Sequence, residues 1–343
     1  MGLLRRFQRL FHTVRAASTS TRSASAVADK PDVGFVACIE SGVLEAQALL
    51  LFESIRLQAG RLRDCALYAL SPRPGHAISG NARRRLDELG VHYIDAILNT
   101  ECPGYGSANR VAAAAHIEET RGHDILVILD SDTLFLREPS EVLLPPHVDV
   151  AVRPVDVKGM STAGPTDPFD TYWHDLCRCG GVDYEEIPWS ESFVDRRRIK
   201  ANYNGGLVVA RGGLGIMRRW ANIFFASVRQ NLRPWSEARS FRSGAGWVES
   251  SGSRLWGSNQ AALSLAIWST SRRVQELAPT YNYPLHLHDQ IDLAVARAVF
   301  PHLVHVHYHW LFAHALSGNP LFLSWGPLSP AQRDWLRSAT PIN

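Results

Sequence analysis

Residues 125–136 read ILVILDSDTLFL, an apolar run that passes directly into an acidic turn. The five aliphatic residues at its start predict a buried strand over Ile125–Leu129. Asp130 and Asp132 follow, one residue apart. Two carboxylates this close at a buried edge repel each other unless a cation separates them, and the oxygen ligands suit Mg²⁺ or Mn²⁺. The stretch therefore predicts a divalent metal site able to hold a diphosphate. An acidic turn that caps the next element is the alternative.

The chain before this stretch alternates between strand and helix patterns. Short apolar runs predict strands, and apolar residues at helical spacing predict helices. The predicted strands span residues 32–40, 65–70 and 91–94, and the predicted helices span 44–57, 82–89 and 108–120. This alternation indicates a parallel sheet with helices on both faces, with ligands beyond the carboxyl ends of its strands. Neither glycine-rich phosphate loop, GxGxxG or GK[ST], follows the first strand, which excludes the usual dinucleotide and ATP cradles.

Composition indicates a globular chain. The protein has 343 residues, 45% of them hydrophobic and 20% charged, which suits one large or two ordinary domains. With 36 basic against 33 acidic residues, the net charge of +3 argues against nucleic acid as a partner. No apolar run approaches the length of a membrane-spanning helix. The 5 cysteines are scattered and odd in number, so we expect no disulfide framework and a reducing, cytoplasmic compartment.

The first 31 residues differ from the rest. The first acidic residue is Asp29, and apolar residues recur at helical spacing among arginines between Leu3 and Val14. A basic amphipathic helix of this kind is typical of peripheral contact with an anionic membrane or of an organelle transit peptide, and a disordered tail is the third interpretation. We expect this segment to lie outside one domain over 32–343, with a nucleotide-binding half (32–150) and an acceptor and metal-completing half (151–343).

The second half is less regular and ends in a histidine-rich strand pattern. Its predicted elements are a strand over 207–210, helices over 213–230 and 259–270, and a strand over 303–308. Residues 303–310 read LVHVHYHW, and the period of two places His305, His307 and His309 on one face. Histidine is a common third metal ligand. We favour His307, then His309 and His314; histidines that bind no metal are the alternative.

Several motifs together resemble glycosyltransferases of the GT-A fold. The helix from Asn109 and Arg110 precedes the apolar strand and its Asp-x-Asp-Thr, and the motifs YNGG at 203–206 and WGSNQ at 256–260 follow in order. They are most similar to glycosyltransferase family 8, which includes glycogenin and bacterial galactosyltransferases. The resemblance implies an α/β fold of the GT-A nucleotide-diphospho-sugar transferase type, with a mixed, mostly parallel central sheet flanked by helices.

The resemblance also implies an activity and a set of site residues. The reaction is transfer of a sugar from a nucleotide-sugar, a UDP-sugar above all, to a hydroxyl of a carbohydrate or glycoconjugate, with retention of configuration. The implied residues are Asp130, Asp132 and His307 for Mn²⁺ or Mg²⁺; Arg110, Ser131, Asn204, Gly205 and Gly206 for the donor; and Asn259 and Gln260 for catalysis. Asn259 departs from the family, which usually has aspartate there, and an amide cannot act as a base or nucleophile.

Other functions remain open at this stage. Haloacid-dehalogenase-like phosphatases also use Asp-x-Asp, but they need a later lysine and a further acidic pair. Only Lys158 and Lys200 follow the motif here, and no Asp-Asp dipeptide does. A nucleotidyltransferase would use the same metal and diphosphate chemistry, and a degenerate glycosyltransferase domain would bind without catalysis.

Aromatic and histidine side chains of the second half are candidates for the acceptor. Tryptophan faces suit sugar rings as well as ordinary cores. The candidates are Trp173, Trp189, Trp235, Trp247 and Trp256, together with His286 and His288.

Overall fold

The computed structural model describes residues 31–248, 251–314 and 328–339. The described residues from Pro31 onward group as one compact unit. The predicted N-terminal segment spans residues 1–31, of which 1–30 lie outside the described residues; the predicted boundaries at residues 31 and 150 stay predictions. Within the described ranges, no helix combines the length and apolarity needed to cross a bilayer.

Strands and helices alternate from residue 33 to residue 129, as predicted. The strands are β1 (Val33–Cys38), β2 (Ala66–Ser71), β3 (Val91–Asp95), β4 (Ile125–Leu129), β5 (Thr133–Phe135), β6 (Val150–Pro154), β7 (Trp189–Glu191), β8 (Arg198–Lys200), β9 (Tyr203–Arg211), β10 (Phe241–Ser243), β11 (Gly246–Val248), β12 (Val274–Glu276), β13 (Tyr283–Pro284) and β14 (His305–His307). The helices are α1 (Val43–Gln58), α2 (Gly80–Glu88), α3 (Ser107–Thr120), α4 (Asp170–Gly180), α5 (Ile216–Arg229), α6 (Ser258–Thr270), α7 (Leu293–Val299) and α8 (Pro330–Ala339).

The main sheet is mixed and mostly parallel. Its strand order is β12-β6-β9-β4-β1-β2-β3. The pairs β12–β6, β4–β1, β1–β2 and β2–β3 are parallel. Only β9 runs antiparallel to its neighbours β4 and β6. The predicted α/β class and the mixed, mostly parallel sheet are therefore confirmed.

Strands β1 and β4, at the centre of the sheet, are apolar throughout because both faces of the sheet are covered. Ile128 and Val36 pack in one core with the helices α3, α5 and α6. Val127 and Phe35 point the other way and pack with α1. All five side chains of β4 are buried, so the strand has no place for a polar side chain until it leaves the core after Leu129. The acidic turn begins at that point.

A small second sheet has the strand order β13-β14-β5, and its strand β5 begins directly after the acidic turn. The antiparallel pair β5–β14 sets Thr133 opposite His307 and Phe135 opposite His305. Strand β14 is shorter than the predicted strand over 303–308. At its C-terminal end, His309 adopts a φ of 55° and the chain enters a short helical turn. This pairing brings the histidine-rich segment back to the acidic turn.

Candidate active site

The acidic turn is held from both sides by backbone hydrogen bonds. The N–H of Asp130 donates to the carbonyl of Gly206 (3.2 Å), and the N–H of Tyr308 donates to the carbonyl of Asp132 (3.1 Å). The Thr133 hydroxyl donates to the carbonyl of Asp130 (2.7 Å). The turn is therefore fixed between β9 and β14, and its geometry follows from strand register.

Asp132, His307 and His309 form a cluster that fits a divalent metal ion. One ligand atom from each lies within 4.8 Å of the others. Nε2 of His307 is 3.3 Å from Oδ1 of Asp132. Within the described ranges, neither ring nitrogen of His307 nor Nδ1 of His309 has a hydrogen-bond partner, although these atoms are buried. Buried polar atoms almost always have hydrogen-bond partners, so two imidazoles without hydrogen bonds beside the Asp132 carboxylate are suited to holding a cation.

Electrostatics couple the members of this cluster. Burial alone would lower the pKa of His307, but the carboxylates of Asp132, Asp130 and Asp156 outweigh it and raise that pKa to about 9. Burial opposes ionisation of Asp132, yet the neighbouring His307 holds its pKa below the usual range. Burial lowers the pKa of His309 to about 4, so this ring is neutral at pH 7. A metal ion bound here would displace a proton from His307.

Asp130 lies outside this cluster and pairs with Arg110. Nη1 of Arg110 contacts Oδ1 of Asp130, and the guanidinium lies 5.9 Å from the ring of Trp220. Arg110 is buried in α3. Burial raises the pKa of the Asp130 carboxyl against the opposing effect of Arg110. The predicted role of Asp130 as a metal ligand therefore stays a prediction, while Arg110 does bring positive charge to the acidic turn.

Gly205 and Gly206 make room for two site residues. A Cβ at Gly205 would lie 2.6 Å from Cζ of Arg110, and a Cβ at Gly206 would lie 2.9 Å from Nδ1 of His307. We expected these glycines to bring backbone close to a sugar. That role stays a prediction, and the structure adds that the two glycines leave space on β9 for Arg110 and His307.

Asn204, on β9, is hydrogen-bonded to the carboxylate of Asp156, a residue that was not predicted as part of the site. Its Nδ2 donates to Oδ2 of Asp156 (2.7 Å), and its Oδ1 accepts from the N–H of Gly206 (2.8 Å). Burial raises the pKa of Asp156 to about 6. Asp156 follows β6 as Asp130 follows β4, but Arg153 and Pro154 obscure that strand in the sequence.

Most of the predicted residues line one cavity of about 870 Å³ at the carboxyl ends of the strands. This volume falls within the range of ligand sites. The predicted side chains that reach it are Arg110, Asp130, Ser131, Asp132, Asn204, Asn259, Gln260, His286, His307, His309, Trp235, Trp247 and Trp256.

The other candidates lie elsewhere. His305 is buried 4.5 Å from the ring of Phe135, and His288 is bound to the hydroxyl of Tyr283 (2.8 Å). Trp173 is fully buried and belongs to the core, and Trp189 lies on β7, away from the cavity lining. The side chain of His314 lies outside the described residues.

Comparison with known proteins assigns a family. A family model described as a Rhodobacterales glycosyltransferase domain matches residues 35–239. The chain belongs to this glycosyltransferase family. Sugar transfer is thereby favoured over the phosphatase and nucleotidyltransferase alternatives, and the predicted GT-A type of fold agrees with the sheet described above.

Solved glycosyltransferase structures are similar to this glycosyltransferase at low identity. WbbM, a bifunctional glycosyltransferase, is 13% identical with a TM-score of 0.44, over 82% of this chain and 46% of that one. This chain thus spans about half the length of WbbM. The galactosyltransferase LgtC, solved with donor and acceptor sugar analogs, is 11% identical with a TM-score of 0.46, over 90% and 97%. Mouse xyloside xylosyltransferase 1 is 12% identical with a TM-score of 0.40, over 81% and 98%. No curated protein gave a significant sequence match.

Asn259 occupies a buried position at the start of α6 in this glycosyltransferase. Its Oδ1 accepts from the hydroxyl of Tyr105 (2.8 Å), and its backbone carbonyl accepts from Nε1 of Trp220 (2.6 Å). Its Nδ2 is buried and has no partner among the described residues. Gln260 follows it at the cavity wall. The amide of Asn259 is thus oriented by Tyr105 and keeps its donor end unused.

A hairpin covers the acidic turn. The covering hairpin, residues 241–248, consists of β10, β11 and the turn between them. A Cβ at Gly244 would lie 2.7 Å from Cγ of Asp132, and Nε2 of Gln47 donates to the Gly244 carbonyl (2.9 Å). Phe241 stacks on Trp256 with ring centroids 5.0 Å apart. No strand is predicted in this segment from the sequence, because its two strands are only three residues long.

Proposed function

We propose that this glycosyltransferase moves a hexosyl residue from a UDP-sugar to a hydroxyl of a carbohydrate or glycoconjugate acceptor. The proposed reaction depends on Mn²⁺ or Mg²⁺ and retains the anomeric configuration, as the resemblance to family 8 implies. The observation that carries the proposal is the cluster of Asp132, His307 and His309 at the carboxyl end of β4, within the cavity.

The proposed metal ligands are Asp132, His307 and His309, with Asp130 as the further ligand implied by the resemblance. A bound divalent ion stabilises negative charge on a diphosphate leaving group. The fold itself positions the proposed ligand His307, independently of a metal ion. Pairing of β5 with β14 fixes His307 beside the turn, and Gly206 leaves space for its ring.

Local charge supports the metal dependence. Three carboxylates, those of Asp130, Asp132 and Asp156, lie around His307 and affect its pKa. Arg110 pairs with Asp130, and His307 lies against Asp132. Because Arg110 and His307 are already engaged by carboxylates, an added divalent cation would offset the negative charge that a diphosphate meets at the acidic turn.

Amide groups are suited to orienting the transferred sugar. Asn259 presents a buried Nδ2 without a partner, and an amide N–H donates readily to a sugar hydroxyl. Asn204 holds the carboxylate of Asp156 at 2.7 Å. We assign Asn259, Gln260 and Asn204 to sugar binding, and we assign none of them a nucleophilic role.

A thermal-shift screen tests this proposal. Wild-type protein is melted with UDP, GDP, CDP and a panel of UDP-sugars, with and without Mn²⁺. We expect the melting temperature to rise with UDP compounds and only when Mn²⁺ is present, because a ligand that binds the folded state stabilises it. NMR of the transfer product then reports the anomeric configuration.

Matched variants link the result to the cluster. His307→Gln removes a proposed ligand, and His302→Gln makes the same change at an exposed position. We expect the first to abolish the Mn²⁺-dependent shift and the second to preserve it. Equal stabilisation by UDP without metal would contradict metal dependence, and no stabilisation by any nucleotide would favour a degenerate binding domain.

A further inference from the structure

Arg242 projects from the covering hairpin into the cavity lining and has no anionic partner there. The other long cationic side chains of the lining are engaged. Arg73 pairs with Glu40 (2.6 Å), Arg110 with Asp130, and Lys158 with Asp167 (2.8 Å). Arg242 makes no ion pair or side-chain hydrogen bond with any residue in the described ranges.

Two tryptophans hold the Arg242 guanidinium. Its Cζ lies 4.8 Å from the ring of Trp310 and 5.9 Å from the ring of Trp247. Contacts with ring faces leave the N–H groups at the edge of the guanidinium unused, and that edge matches the geometry of a carboxylate or phosphate. The side chain is therefore positioned without its hydrogen-bonding capacity being consumed.

The location relates Arg242 to the proposed metal cluster. Gly244, two residues further along the hairpin, lies against Asp132. Trp310 follows His309, and the positive charge of Arg242 helps to lower the pKa of His309. An anion bound by Arg242 would thus lie at the edge of the cavity next to the cluster, where substrates meet.

We propose that Arg242, held by Trp247 and Trp310, forms a subsite for a phosphate or carboxylate group of a bound substrate. The inference rests on the proposed function and extends it, because the covering hairpin then contributes to substrate binding. The anion has two sources, the diphosphate of the donor or an acidic group on the acceptor. The exposed indole of Trp247, 64% accessible, offers a face for a sugar ring beside the guanidinium.

Calorimetric titrations distinguish the sources. UDP with Mn²⁺ probes the donor, and methyl glucuronide compared with methyl glucoside probes an acidic group on an otherwise identical sugar ring. Arg242→Gln removes the charge, and Arg242→Lys keeps it without the planar donors. Arg239→Gln is the matched control, since Arg239 precedes the same hairpin, stacks on Trp235 at 4.6 Å and lies outside the cavity lining.

We expect Arg242→Gln to weaken binding of one anionic probe by about 10- to 100-fold, the range for a hydrogen bond to a charged group. Arg242→Lys should lose less, and Arg239→Gln should match the wild type. Loss of UDP affinity identifies the donor diphosphate as the anion. Unchanged UDP affinity with loss of the glucuronide preference identifies the acceptor.

The inference is overturned if Arg242→Gln binds UDP as the wild type does and the wild type shows no preference for glucuronide over glucoside. Failure of the wild type to bind UDP is a separate result that counts against the proposed function. The glucuronide titration still tests the subsite in that case.

Discussion

Gly206→Ala perturbs the active site through a single methyl group. The φ of Gly206 lies outside the left-handed region, so alanine introduces no backbone strain there. The added Cβ would lie 2.9 Å from Nδ1 of His307 and 2.7 Å from Oδ1 of Asn282. To reach an ordinary contact of 3.4 Å, the His307 ring must move by about 0.5 Å and the Asn282 amide by about 0.7 Å.

These shifts set the expected magnitudes. Overpacking of this kind costs about 1–3 kcal/mol of unfolding free energy. At about 2–4 °C per kcal/mol, the melting temperature should fall by about 2–12 °C. A shift of the His307 ring by about 0.5 Å relative to Asp132 should weaken Mn²⁺ binding. Misplacement of a site residue on the order of 1 Å slows the reaction by about 100-fold, so the rate of transfer should also fall.

Thermal melting, Mn²⁺ titration and a transfer assay measure the three effects. Gly122→Ala is the control, because Gly122 is exposed and a Cβ there meets nothing within 4 Å. We expect the control to match the wild type in all three assays. A folded Gly206→Ala protein with wild-type Mn²⁺ affinity and turnover would refute the placement of His307 over Gly206.

Three further outcomes follow from other buried groups. The buried Glu40 carboxylate accepts two hydrogen bonds of 2.6 Å from Arg73 and one from Asn109, so Arg73→Met removes its cationic partner. The free energy of unfolding, measured with urea, should fall by about 3–5 kcal/mol, and adding Glu40→Gln should restore part of that loss. The His307 pKa of about 9 exceeds its value of 6.5 in an unfolded chain, so the stabilisation it gives the metal-free protein is complete below pH 6.5 and lost as pH rises through 9. Urea midpoints across that range should therefore fall more for the wild type than for His307→Gln, and parallel curves would contradict the charge pair. Asn259→Asp keeps the acceptor for Tyr105 but adds a buried charge, so its unfolding free energy should fall below wild type at pH 8 and recover towards pH 4.

Local sequence patterns predicted much of the fold because β1 and β4 are apolar on both faces. Ile125–Leu129 is buried throughout and leads into the acidic turn as expected. The choice of His307 came from the period of two in a strand and from the resemblance. His305 shares that period, yet its register opposite Phe135 places it in the core.

Contacts between segments that are far apart in the chain could not be predicted from local sequence patterns. Gly205 and Gly206 leave space for Arg110 and His307, which approach them from α3 and β14. The covering hairpin has short strands with serine, glycine and tryptophan, a composition that also suits a loop. Asp156 was missed because Arg153 and Pro154 interrupt the apolar pattern of its strand, although the position beyond a strand end was a usable signal.

The release of UDP from a panel of UDP-sugars, with and without Mn²⁺, tests the central claim most directly. Asp132→Asn removes one charge from the cluster, and Asp95→Asn makes the same change at an exposed strand end. The wild type and Asp95→Asn should release UDP only with Mn²⁺. Asp132→Asn should be slower by about 10²–10³-fold, the scale for loss of one charge-stabilising group. Equal, metal-independent rates in all three proteins would contradict the assignment of Asp132, His307 and His309 as the metal site.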